Sequence, residues 1–362
     1  MTRIRVALVG TGHIAEAAHL PAFAAEAART ELVAAMDVDR KRAEDFAARH
    51  GIPAAYDDLD LMLDREHPDL VVLCSPPAAH LDAVLSSLAA GAWVWLEKPP
   101  VLSLAEFDRI EQAERAGGPY VSVIFQHRFG SAARRLIRQV RAGDLGRPLV
   151  AQSVTAWYRP DAYYAVPWRG RWDTEGGGTT LGHGIHQMDL MLAVLGPWAE
   201  VQAMAGRLQR DIEVEDVSTA LVRFENGALA TVVNSALSLR EESYLRFDFA
   251  DATVELRHLY GYGDADWTYT PQRPMPPGEP DIPSSHIAQL PYLLDAMERG
   301  ERPPLSGPAG RESLELVTAL YRAAFTGTPT SRADLTPGDP FYHRLHGDTP
   351  GWAPAPAASR GN

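Results

Sequence analysis

Five residues of β character, Arg5-Val6-Ala7-Leu8-Val9, run without a break into Gly10-Thr11-Gly12-His13-Ile14-Ala15, and this junction limits the fold more than any other stretch of the chain. The pattern is a strand, then GxGxxA, then a helical repeat at Ala15, Ala18 and Ala22. Gly10 permits a tight turn, Gly12 lets the backbone come up against a pyrophosphate, and Ala15 allows a helix to pack close on the strand. The free N–H groups at the start of that helix then face the phosphates. A second β run, Leu32-Val33-Ala34-Ala35-Met36, ends in Asp37, at the distance expected of an acid that binds ribose hydroxyls. Gly10, Gly12, His13, Ile14, Ala15 and Asp37 are therefore expected to hold a dinucleotide. A carboxylate at 37 repels a 2′-phosphate and Asp39 adds to that repulsion, whereas Arg40 and Lys41 could offset it. NAD is favoured on these grounds, and NADP stays open.

The alternation that follows is that of a doubly wound parallel sheet. Helices are expected over 40–50 and 59–65. A strand over 70–74 ends at Ser75-Pro76-Pro77, and a helix over 79–90 stops at Gly91. The next strand, Trp93-Val94-Trp95-Leu96, ends on Glu97-Lys98-Pro99-Pro100. Ser103 and Glu106 form a capping box for a helix to about 115, and a further β run covers 120–125. Ser75, Pro76, His80, Glu97, Lys98 and Arg128 are thereby gathered at the carboxyl edge of one sheet, where ligands of such sheets bind. The chain has two lysines, Lys41 and Lys98, against many arginines. An ammonium kept at a strand end is a compact donor whose pKa responds to its surroundings, which makes Lys98 the first candidate for chemistry.

At 362 residues the chain is long for one core, and two domains are expected: 1–126 for the dinucleotide and 127–335 for substrate and oligomerisation, with a tail over 336–362 whose end is disordered. A formal charge of −13 argues against nucleic acid and anionic membrane as partners. No apolar run is long enough to span a bilayer, and the first residues run directly into a strand, so a cytoplasmic protein is expected. The single cysteine, Cys74, excludes an internal disulfide and a thiolate cage, and its apolar neighbours predict a buried, inert thiol.

After a helix over 131–141 and a β run over 148–158, the strict alternation ceases, which signals an antiparallel layout. Asn226-Gly227 between two β runs predicts a hairpin, and a second ribbon is expected over 244–258, turning near Asp251. A proline-rich loop over 271–280 and helices over 285–299 and 311–325 complete the pattern. Before the hairpin lies Gly176-Gly177-Gly178-Thr179-Thr180-Leu181-Gly182-His183-Gly184-Ile185-His186-Gln187-Met188-Asp189. His183 and His186 share a helical face, but spacing fixes no third ligand and no metal is expected. Upstream, Trp157-Tyr158-Arg159, Tyr163-Tyr164 and Trp168-Arg169-Gly170-Arg171-Trp172 suit either a pocket that stacks on sugar C–H faces or plain aromatic packing.

With these residues in view, the chain resembles the Gfo/Idh/MocA oxidoreductases. The glycine loop at Gly10, Asp37, Ser75-Pro76-Pro77 with His80, and Glu97-Lys98-Pro99 carry the resemblance, which covers roughly the first 330 residues. It implies a Rossmann domain followed by an α/β domain with an open, mostly antiparallel sheet, whose outer face makes a homodimer or homotetramer. It also implies that Lys98 lies beside the nicotinamide and hydrogen-bonds the reacting oxygen. The family's glycine turn leads into an Asp-x-x-x-His pair. His186 matches the histidine and is expected to act as general base, an imidazole of ordinary pKa ~6.5 being suited to that task. Gly182 occupies the aspartate position, and His183 is expected to take part of its role or to contact substrate alongside Tyr163, Trp168, Arg169 and Trp172. The resemblance implies an NAD(P)-dependent dehydrogenase or reductase acting on a sugar, polyol or inositol-like alcohol. A glycosidase that oxidises its sugar transiently and a non-enzymatic dinucleotide sensor are the alternatives.

Overall fold

The apolar runs of the first third fold as strands covered on both faces, as a parallel sheet requires. β1 (Ile4–Val9), β2 (Thr30–Met36), β3 (Ala54–Tyr56), β4 (Leu70–Leu73), β5 (Trp93–Leu96) and β6 (Val121–Val123) form a six-stranded sheet in the order β3-β2-β1-β4-β5-β6, with every pair parallel. The order reverses between β1 and β4, the switch point at which doubly wound sheets take their ligands. Local signals set the helices between the strands. Asp39 and Asp58 cap the helices Arg40–His50 and Leu59–Glu66 through their side chains, and Gly51 closes the first in the left-handed region. Behind the glycine loop the expected single helix is divided into a wide π turn, Ala15–His19, and an α-helix, Leu20–Ala25. Pro21 has no N–H to return to the preceding turn, which accounts for the break.

The computed structural model describes residues 3–272 and 280–349; most of the proline-rich loop and the whole stretch after Ala353 lie outside the described residues. Two units emerge. One comprises Met1–Val101, Glu106–Gln126 and Ser285–Arg311, the other Leu102–Ala105, His127–Ser284 and Glu312–Asn362. A linear division at 126/127 puts Ser285–Arg311 in the second domain, whereas the structure packs it with the first. The reason is the apolar face of the helix His286–Arg299, whose Leu290, Leu293 and Leu294 join Val6, Leu8, Val72 and Trp95 in one core. Each of these leucines contributes about 2 kcal/mol by burial. Gln289 fixes the register: its Oε1 accepts the Phe125 N–H at 3.1 Å and its Nε2 donates to the Val123 carbonyl at 2.8 Å.

In the other unit, β7 (Pro148–Ala156), β8 (Trp198–Gly206), β9 (Val217–Phe224), β10 (Leu229–Ser235), β11 (Glu242–Phe249), β12 (Thr253–Arg257), β13 (Trp267–Thr270) and β14 (Thr330–Ser331) form one sheet in the order β13-β12-β11-β7-β10-β9-β8-β14. Only the β7/β10 pair is parallel. Asn226-Gly227 turns the β9/β10 hairpin, with the Asn226 Oδ1 accepting the Ala228 N–H at 3.0 Å. β9 and most of β10 alternate, so that Ala220, Val222, Ala230 and Val232 are buried while Leu221, Leu229 and Val233 face out, as does Met204 on β8. The helix Ile185–Leu195 is buried along almost its whole length. No described helix is long and apolar enough to cross a membrane.

Candidate active site

At the switch point the glycine loop meets both physical demands of a phosphate cradle. Gly10 has φ of +91°, and a Cβ there would come within 2.8 Å of the Cys74 and Ser75 backbone, so only glycine fits. A Cβ at Gly12 would meet nothing within 4 Å, which leaves the open space a pyrophosphate needs. Buried Asp37 accepts hydrogen bonds at Oδ2 from the N–H and the hydroxyl of Thr11, both at 3.0 Å, and at Oδ1 from the Asp39 N–H at 3.1 Å. The acid thus ties the glycine loop to the end of β2. Arg42 lies 3.5 Å from it, while Arg40 is paired with Glu44 at 2.7 Å and Lys41 with Asp45 at 2.7 Å. The two cations that could offset repulsion of a 2′-phosphate are therefore engaged by acids of their own helix. At the end of β4 the Ser75 hydroxyl is buried with no partner among the described residues. An open glycine turn, a carboxylate closing β2 and an unused buried hydroxyl fit a bound dinucleotide.

His80 is fully buried, with Nε2 at 2.9 Å from the Ser75 carbonyl and Nδ1 at 3.1 Å from those of Pro99 and Pro100. It ties the end of β4 to the loop after β5. Lys98, half-buried, opens that loop. Beside it, buried Glu97 accepts hydrogen bonds at Oε1 from His19 at 3.0 Å and His286 at 2.9 Å. Burial alone would raise the Glu97 pKa, but the two imidazole bonds hold it well below the usual carboxylate range.

In the other unit the glycine turn is a packing necessity. A Cβ at Gly178 would collide with the Glu215 carbonyl, and the Glu215 carboxylate accepts the N–H groups of Gly178 and Thr180 at 3.0 and 2.9 Å. This turn feeds a π turn, Thr180–Gly184, that carries His183, and the following helix carries His186 in its first turn. Both imidazoles are buried. The Arg159 guanidinium donates from Nε to His183 Nε2 at 3.1 Å, which makes that nitrogen an acceptor. The Tyr163 hydroxyl lies 3.3 Å from the same atom and is bonded by Arg169, which in turn pairs with Glu175 at 3.1 Å. Arg169 also lies over the rings of Tyr163 and Trp168, 3.9 and 4.2 Å from their centroids. Burial raises the Tyr163 pKa, so the hydroxyl stays protonated. A Cβ at Gly182 would meet Glu175 Oε1 at 3.8 Å.

The structure thus gathers His183, Tyr163, Trp168 and Arg169 into one network. Trp172 goes elsewhere: its ring packs on Tyr321, Phe325 and His346, and its Nε1 donates to the Glu213 carbonyl. Arg128 makes a bidentate pair with Asp189 at 2.6 and 2.7 Å, and Ser313 donates to the same carboxylate at 2.8 Å. Asp189 is therefore engaged away from the two histidines. Three aromatic rings surround His186, and two of them, His127 and Tyr260, escaped sequence reasoning. The His127 ring lies 5.0 Å from it at 31°, Tyr260 lies 5.8 Å away and Trp157 6.4 Å. His127 was marked only by its place between Gln126 and Arg128, and Tyr260 by nothing.

Fold and glycine turn together define an oxidoreductase of the dinucleotide-binding kind. Residues 4–125 match the oxidoreductase family with the NAD-binding Rossmann fold, and residues 133–255 match the Gfo/Idh/MocA C-terminal domain. The chain belongs to the Gfo/Idh/MocA family, a family of sugar and polyol oxidoreductases. It is 28% identical to the D-glucoside 3-dehydrogenase of Escherichia coli K12, over 90% of this chain and 96% of that one. It is 30% identical to a putative UDP-kanosamine synthase oxidoreductase subunit of Amycolatopsis mediterranei, over 72% of this chain and 76% of that one. The WlbA dehydrogenase of Bordetella pertussis, crystallised with NADH and UDP-GlcNAcA, superimposes with a TM-score of 0.81 at 26% identity, covering 91% of this chain and 99% of that one.

Proposed function

We propose that this protein is an NAD-dependent dehydrogenase that transfers hydride between the nicotinamide and a hydroxyl-bearing carbon of a glycoside, sugar or polyol. The observation that carries this reading is that a chain of this family keeps both Lys98, at the carboxyl end of β5, and a buried His186 at the head of an enclosed helix. An ammonium and an imidazole are the groups needed to stabilise an alkoxide and to take its proton. Bound NAD supplies the hydride acceptor. Lys98 donates a hydrogen bond from Nζ to the reacting oxygen. His186 accepts the hydroxyl proton in oxidation and returns it in reduction. The backbone of 10–15 receives the pyrophosphate, Asp37 the adenosine ribose, and Ser75 with Pro76 the nicotinamide end. Arg159, Tyr163, Trp168 and Arg169 give the substrate stacking surfaces and cationic donors, and His183 bonds a substrate hydroxyl. The kinship with a glucoside 3-dehydrogenase supports a glycoside as the first substrate to try.

The test is absorbance at the reduced-nicotinamide band with NAD and a panel of glucosides, sugar nucleotides and inositols. Accumulation of NADH with one class is expected; release of an aglycone with no net NADH would overturn the reading in favour of a glycosidase. Asp37→Ser is expected to raise the NADP-to-NAD ratio of kcat/KM by about tenfold or more, since a like-charge contact with the 2′-phosphate is relieved. An unchanged ratio would remove Asp37 from cofactor choice.

The protein also works as a homo-oligomer through the outer face of the large sheet. Support comes from Met204, Leu221 and Leu229, which are 78%, 58% and 49% exposed on neighbouring strands. Light scattering should give a dimer or tetramer that Leu221→Glu disrupts, whereas a monomeric wild type would exclude it.

A further inference from the structure

We propose that His19 and His286 are positioning residues that hold Lys98 in place by way of Glu97, a role that rests on Lys98 acting on the reacting oxygen as proposed above. Three distant stretches of sequence meet here: the turn behind the glycine loop, the end of β5, and the first residue of the helix His286–Arg299. Ser285 caps that helix by accepting the Ala288 N–H, which sets the direction from which His286 enters. His19 is 0% exposed, and Glu97 and His286 are each 6% exposed. Oε1 of Glu97 takes an N–H from each imidazole, at 3.0 and 2.9 Å, and Oε2 takes the Lys98 N–H at 3.2 Å. Three donors on one carboxylate let a buried charge persist.

The carboxylate is also fenced in sterically. Trp95, two residues earlier on β5 and so on the same face, meets the His19 ring edge-on at 4.9 Å and the His286 ring at 5.7 Å. The two imidazoles themselves meet at 4.8 Å and 76°. Burial lowers the His19 pKa, which leaves a neutral ring donating from Nε2, and its Nδ1 has no partner among the described residues. The separations of 2.9 and 3.0 Å are those of hydrogen bonds. Ligands around a tetrahedral zinc stand about 3.3 Å apart. What the cluster fixes is the peptide at which β5 ends, and the next side chain is the ammonium. A displacement of that ammonium by an ångström is costly to catalysis because its hydrogen bond must meet a particular oxygen.

The experiment uses the full-length enzyme with His286→Leu and His19→Leu, which remove one donor each, and His286→Gln, which keeps an N–H at comparable reach. Each is made in the wild-type and in the Lys98→Ala background, and kcat, KM, NAD affinity by fluorescence titration and thermal midpoint are measured. In the wild-type background the leucine variants are expected to lower kcat about 10- to 100-fold while NAD affinity changes less than about twofold. His286→Gln is expected to regain most of the loss. In the Lys98→Ala background the same substitutions should cost less than about twofold, since the residue they position is gone. Equal losses in both backgrounds, or an effect confined to KM or thermal midpoint, would overturn the positioning role; so would stoichiometric metal that departs with either histidine. Should the leucine variants fail to fold, Glu97→Gln in the two backgrounds puts the same non-additivity to the test. A fully active Lys98→Ala enzyme would instead refute the proposed function of Lys98, whatever the histidine variants do.

Discussion

Lys98→Ala is expected to lower kcat by about 10²–10³-fold, the usual consequence of removing one donor from a developing oxyanion. NAD affinity should be little changed, because the phosphate cradle at 10–15 and Asp37 lie on other strands of the sheet. Lys98→Arg should not rescue. A guanidinium is larger, keeps its proton, and spreads its donors over a planar fork, whereas a single oxygen calls for one compact donor. Lys41, the other lysine, offers no substitute: its side chain is 80% exposed and paired with Asp45. Steady-state rates beside a fluorescence titration of NAD decide the matter, and near-wild-type turnover in Lys98→Ala would end the assignment.

The second large effect belongs to His186. His186→Asn removes the proton acceptor while keeping much of the shape, and a fall in kcat of about 10²–10⁴-fold is expected. The limb of the pH–rate profile that reports an imidazole losing its proton should flatten in the same variant. His127, Tyr260 and Trp157 surround the ring with aromatic surface, which limits the water that could act in its stead. A Cβ at Gly182, one turn before this histidine, would lie 3.8 Å from the carboxylate of Glu175. A His186→Asn enzyme with an unaltered profile would move the base to another residue.

Features written in a few consecutive residues were legible from the sequence. The strand leading into Gly10, the Gly91 stop, the Asn226-Gly227 turn and the strand Trp93–Leu96 depend on local propensity and short-range hydrogen bonds, and they stand in the structure where the pattern put them. What escaped was carried by contacts between distant residues. No periodicity reveals that His19, Glu97 and His286 share one oxygen, or that Leu290 and Leu293 complete a core begun by Val6 and Leu8. Aromatic density around 157–172 marked a special region without giving directions: Tyr163 and Trp168 turn to the His183 network, while Trp172 turns to Tyr321. The sequence sets Arg128 at the carboxyl edge of the first sheet, whereas in the structure it belongs to the other unit and makes a bidentate pair with Asp189, 61 residues away.

The return of Ser285–Arg311 to the first unit bears on how the protein is made. A ribosome releases the six parallel strands early, yet the sheet then lacks the leucines that seal one face and the Gln289 side chain that caps its last strand. Cores closed by such late contacts form slowly. The dinucleotide unit is therefore finished only after most of the second unit has been synthesised, and the growing chain must keep an unsealed sheet from aggregating until then.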